Sequence, residues 1–228
     1  MYGINERIAE LLENNRDLFE GRPIAFDGVV DEQRYLKSEI KTLFLLKEVN
    51  DDKMVEDWDG FMEDVKAQTT KDSLYTTWPN VCLWMEALKN KDVTYMDCMD
   101  GYGTFDTQRM RENLLDIALV NIKKTAGRGS SNADEIDYAV NKYGHIICEE
   151  VERIIKPDLI LCGGTFEYAK NIFNPDKIKV LRCGAEYFIK NDMLFVRFPH
   201  PVWFSVNRNI LFAYAKTIFA EVRELFCV

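Results

Sequence analysis

Apolar residues along this chain follow two alternating rhythms. Short continuous runs lie within Lys41–Val49 (K-T-L-F-L-L-K-E-V), Ile117–Val120, Asp158–Cys162 and Met193–Val196, with a weaker one at Lys177–Leu181. Runs with no polar alternation suit strands buried on both faces, as in a parallel sheet. Between them, apolar positions recur at helical spacing. Asn5 can cap a first helix carrying Ile8, Leu11, Leu12 and Leu18, which Gly21 and Pro23 end. Trp58, Phe61 and Val65 mark a short helix, and Trp78–Leu88 another with Pro79 in its first turn. A further helix starts at Asp106 or Thr107 and runs through Leu115. Asn132 and Glu135 have the spacing of a capping box and open a long helix to about Ile155, with His145 off its apolar face. Another helix begins near Thr165, and Val206, Ile210, Tyr214, Ile218 and Val222 stripe the last one.

This alternation predicts an α/β fold: a three-layer α/β/α sandwich around a central, mostly parallel four-stranded sheet. Residues 1–228 are expected to form a single domain, since no repeat, low-complexity segment or linker interrupts them. With 29 basic against 38 acidic residues the formal net charge is -9, which opposes nonspecific attraction to nucleic acid. The sequence has no signal-peptide pattern and no membrane-length apolar run, so the cytoplasm is the expected location and no membrane partner is expected. The cysteines, Cys82, Cys98, Cys148, Cys162, Cys183 and Cys227, have no C-x-x-C pair or zinc-like spacing. The acids from Glu48 to Asp64 match no calcium loop. No metal and no cofactor are expected.

Candidate chemistry gathers just after the strands. Open α/β sheets place ligands at the carboxyl ends of their strands. Glu48 and Asp51 follow the first run, Asn121 follows Val120, Gly163 and Gly164 follow Cys162, and His200 follows the last run between Pro199 and Pro201. An asparagine offers both a donor and an acceptor to a heterocycle, and prolines restrict the backbone that carries the imidazole. Lys123, Lys124 and Arg128 make a basic cluster in the expected loop N-I-K-K-T-A-G-R-G-S-S. Ser205 or Asn207 can cap the last helix, with Arg208 in its first turn. Each feature also has a structural reading: the histidine as a loop hydrogen-bonding group, the aromatics as core, the basic stretch as a solvated loop.

The order of these stretches resembles the uracil-DNA glycosylase superfamily. H-P-V-W-F-S-V-N-R at His200 to Arg208 is similar to its histidine-proline motif, and L-V-N-I-K-K at Leu119 to Lys124 to the strand ending in a base-reading asparagine. K-P-D-L-I-L-C-G-G at Lys156 to Gly164 resembles the central strand ending in glycine, and L-L-K-E-V-N-D at Leu45 to Asp51 occupies the place of the water-activating motif. The superfamily usually has glycine where Lys47 stands and proline where Asn50 stands. The aspartate of its best-known branch would fall on Val49, whereas Glu48 matches the glutamate of another branch. That branch commonly carries an iron-sulfur cluster, whose cysteine spacing is missing here.

The resemblance implies a uracil-DNA glycosylase-like fold and hydrolysis of the N-glycosidic bond of uracil or another deaminated or damaged base in DNA. It assigns Asn121 to base reading, His200 to the negative charge developing on the departing base, and Glu48, with Asp51 as second candidate, to water. Phe204 would fill the gap left by the flipped base; Ser205, Arg208 and Lys124 would touch phosphates, and Gly163 would let substrate approach. Two other readings stay open: a catalytically inactive nucleic-acid or nucleotide-binding protein of the same fold, and a hydrolase of free nucleosides or nucleotides.

Overall fold

The expected strands do form, within a larger sheet. The computed structural model describes residues 3–51, 54–70, 75–99, 107–127, 131–203 and 205–226. Its strands are β1 (Gly28–Val29), β2 (Thr42–Asn50), β3 (Ile117–Gly127), β4 (Leu159–Gly163), β5 (Lys179–Val180), β6 (Glu186–Lys190) and β7 (Met193–Phe198). They build one seven-stranded sheet in the order β1-β3-β2-β4-β7-β6-β5. The sheet is mixed, so the expectation of four mostly parallel strands is corrected. The pairings β3-β2, β2-β4 and β4-β7 are parallel, while β1, β6 and β5 add antiparallel pairings outside them.

The helices are α1 (Ile4–Asn14), α2 (Glu32–Lys37), α3 (Phe61–Ala67), α4 (Trp78–Lys89), α5 (Thr107–Arg111), α6 (Ala133–Glu149), α7 (Phe166–Phe173) and α8 (Arg208–Phe226). Side-chain alternation divides the strands between two cores. Phe44, Leu46, Leu119, Leu161 and Val196 face α4 and α8, while Leu43, Leu45, Val120, Ile160 and Phe195 face α1, α6 and α7. Burial on both faces explains why these strands read as unbroken apolar runs. Phe198 binds the first core together, stacking on Phe219 and meeting Trp84 edge-on.

Several boundaries differ from expectation for identifiable reasons. Asn5 lies inside α1 because its side chain bonds both the N–H and the C=O of Val29. Between the apolar runs at 177–181 and 193–196 lies an additional strand, β6, which turns back into β7 through Asn191 and Asp192, both at positive φ. That is the backbone of a tight two-residue hairpin. The buried face of α8 is Leu211, Ala215, Ile218 and Val222, with Ile210 exposed, so the expected stripe is displaced by one residue at its start. At the start of α6, Asn132 accepts from the Asp134 N–H, but Glu135 turns to Lys123 instead of closing a capping box. After Glu149 the long helix continues as one π-helical segment, Glu150–Ile155.

Candidate functional site

The loop after β7 carries His200. Nδ1 of His200 accepts the Val202 N–H at 3.1 Å, which leaves the proton of the neutral ring on Nε2. Burial, and secondarily the Lys47 ammonium, hold the imidazole below its ordinary pKa, so it is a neutral donor at neutral pH. Gly163 is where the adjacent β4 ends. A β-carbon there would come within 2.8 Å of Leu46 Cδ2 and 3.3 Å of Pro201 Cδ, so glycine lets the His200 loop close over the sheet. Gly164 has φ +71, and a methyl group on it would stand 3.7 Å from His200 Cβ and 3.9 Å from Lys47 Cε. Lys47, Gly164 and His200 therefore meet at the ends of β2, β4 and β7. Thr165, fully buried, ties this corner down by donating its hydroxyl to the Leu45 carbonyl at 2.7 Å.

A residue missed in the sequence holds the loop from the other side. Asn80, in the first turn of α4 and 7% exposed, donates Nδ2 to the Pro201 carbonyl at 2.6 Å. Its Oδ1 is buried with no hydrogen-bond partner among the described residues. The available signal was an amide side chain inside W-P-N-V-C-L-W, a run that is buried all round. A buried polar group in such a run needs a specific partner.

Glu48 faces a different neighbourhood. Its carboxylate is 4% exposed and accepts the Lys123 ammonium at 2.6 Å, while the same ammonium reaches Glu135 at 2.5 Å. A β-carbon at Gly127 would overlap the Glu48 carboxylate, so glycine leaves that carboxylate room to lie against β3 where it does. Glu48 and Asp51 line one polar cavity of about 460 Å³ together with Arg22, Gly127, Asn132 and Glu135. His200 and Asn121 do not line it.

Asn121 and Lys124 are drawn inward by Asp27, another residue the sequence reading missed. One Asp27 oxygen accepts both the Asn121 main-chain N–H at 2.5 Å and its Nδ2 at 3.2 Å. The other accepts the Lys124 ammonium at 2.5 Å, which also bonds Glu150 at 2.6 Å. Asn121 is 3% exposed and Lys124 not at all. The expected role of Lys124 at phosphates is corrected: β3 continues through Gly127 where a loop was expected, and the ammonium is sealed inside an ion triad. Burial pulls the Lys124 pKa down, but the two carboxylates outweigh it and hold it above its ordinary value. Burial drives Glu150 upward, well above the usual carboxylate range, against the pull of Lys124.

In parallel-strand register Asn121 lies beside Leu46, and Gly163 beside Phe198. The fold thus aligns the strand ends that carry the nominated residues, but gathers the side chains into separate groups: His200 with Gly163 and Gly164, Glu48 with Asp51, and Asn121 with Lys124. Ser205 and Arg208 are exposed beside the start of α8. Phe204 and Arg128 lie outside the described residues.

Among the described residues, no helix is long and apolar enough to cross a membrane, and no group of three or more His, Cys, Asp or Glu side chains is arranged to hold a metal ion. No protein-family model, curated protein or solved structure matches the chain.

Proposed function

We propose that the chain is a uracil-DNA glycosylase-like enzyme that hydrolyses the N-glycosidic bond of uracil or another deaminated or damaged base in DNA. The observation that carries this reading is the neutral imidazole of His200, fixed as an Nε2 donor at the carboxyl edge of parallel strands beside a glycine turn. In the reaction the C1′–N bond breaks and its electron pair leaves on the base. A preorganised donor aimed at that charge lowers the barrier at little reorganisation cost. Water oxygen then bonds C1′ and its proton passes to a carboxylate before returning to the base nitrogen; the resemblance gives that step to Glu48 or Asp51, which line a cavity apart from His200 and must reach the same sugar to act. Reading of the base, which the resemblance gives to Asn121, requires that side chain, 3% exposed and bonded to Asp27, to turn toward a base that has left the stack.

A second reading, binding without hydrolysis, is favoured by one contact: the Glu48 carboxylate is already engaged by Lys123. Excision assays on single- and double-stranded DNA containing uracil, hypoxanthine and damaged bases, with free nucleosides alongside, separate the possibilities. The enzyme reading expects base release from DNA, and His200→Ala should lower kcat by about 10²-fold or more, the loss typical of one oxyanion donor. Absence of release across the panel by folded protein that still binds DNA would favour the second reading. An undiminished rate in His200→Ala would remove the imidazole from the chemistry.

A further inference from the structure

The corner where β2, β4 and β7 end holds a cation that the mechanism above does not use. Lys47 is half-buried and, among the described residues, forms no hydrogen bond or ion pair. Its ammonium therefore has no carboxylate partner among the described residues. A β-carbon on Gly164 would stand 3.7 Å from His200 Cβ and 3.9 Å from Lys47 Cε, so the two side chains flank that glycine. Both neighbouring groups are hydrogen-bond donors: an ammonium, and an imidazole whose Nδ1 is occupied by Val202. The two are close enough for Lys47 to disfavour a second positive charge on the ring. The ring is thereby kept neutral beside the ammonium. Gly164 at φ +71 also resists replacement by any residue with a side chain.

We propose that Lys47 and His200 form an anion-binding site across the Gly163–Gly164 turn, and that Lys47 acts as a catalytic residue by pairing with the base as it leaves carrying the bond's electrons. The identity of that anion rests on the glycosidic reading; the existence of the site does not. Lys47 supplies the full charge, and His200 supplies a directed hydrogen bond without bringing a proton that would have to be lost again.

The site is tested on the full chain with inorganic phosphate as the probe, at fixed pH and ionic strength. The Cε1–H resonance of His200 is followed by NMR; the exposed His145, the other histidine of the chain, is the internal reference. The wild type should show a saturable shift at His200 and none at His145. Lys47→Met keeps the apolar stem and should weaken phosphate binding about tenfold or more, the fold-change for one lost hydrogen bond to a charged group, while Lys47→Arg restores it. No saturable shift in the wild type, or an unchanged affinity in Lys47→Met, would overturn the anion site. The catalytic role is read separately, in the excision assay. Lys47→Met should lower kcat more than it raises KM, and a wild-type kcat would sink that role. Lys47-dependent phosphate binding in a protein that releases no base would leave the site standing and remove the glycosidic reading instead.

Discussion

Glu150 shows how a buried charge cluster writes itself into the pH dependence of the fold. Lys124 faces two carboxylates, Asp27 and Glu150, and Glu150 Oε1 has no partner among the described residues. One ammonium compensates one carboxylate, so the second favours holding a proton, and the Glu150 pKa is raised chiefly by burial. A raised pKa means that the folded protein keeps this proton to higher pH than the unfolded chain does. Its stabilising contribution is complete below the unfolded value and lost as pH rises through the folded one. Glu150→Gln cannot titrate and keeps an oxygen for Lys124. Urea midpoints measured from mildly acid to mildly alkaline pH should therefore fall for the wild type relative to Glu150→Gln across that window. Parallel curves would show that Glu150 is charged in the fold. The same cluster clamps Asn121 through Asp27, so its protonation bears on the residue nominated to read the base.

At the scale of elements, β6 and β7 offer a local test. Their hairpin turns through Asn191 and Asp192 at φ +50 and +62, a conformation that glycine adopts without strain and that two-residue hairpins favour. Asp192→Gly should stabilise the protein by about 1 kcal/mol, the scale of the penalty for an L-residue in that region. A lower thermal midpoint in the variant would mean that the Asp192 side chain contributes more than its backbone costs. The turn also marks the limit of what the sequence disclosed. Strands β2, β4 and β7 were legible because burial on both faces leaves an unbroken apolar run. β6 was not, since only Tyr187 and Phe188 of its residues are buried and K-N-D reads as an ordinary loop. β3 was cut short at Val120, ahead of Asn121 and its two lysines, because a buried polar or charged side chain is recognisable only through its partners. Those of Lys124 stand 97 and 26 residues away in the chain. The strand-end positions of Glu48, Gly163 and His200 were legible from order alone. Their separation into different neighbourhoods was not, because it depends on which way each side chain leaves its strand and on partners such as Asn80 and Lys123.

For the whole molecule, the difficulty is bringing a chain of net charge -9 to a polyanion. Affinity for DNA grows with the number of phosphates neutralised by Lys and Arg, and each such contact steepens the fall of affinity with salt. The fold removes Lys124 from that set by burying it and occupies Lys123 with Glu48 and Glu135. Of the residues nominated for phosphates, exposed Ser205 and Arg208 remain, beside the loop that carries His200. If they hold the backbone of a DNA substrate there, Arg208→Ala should weaken DNA binding equally for all sequences and reduce the slope of log affinity against log salt by about 1. Cleavage of a free nucleoside, if it occurs, should be indifferent to the same substitution. An unchanged salt slope in Arg208→Ala would detach the start of α8 from the DNA backbone.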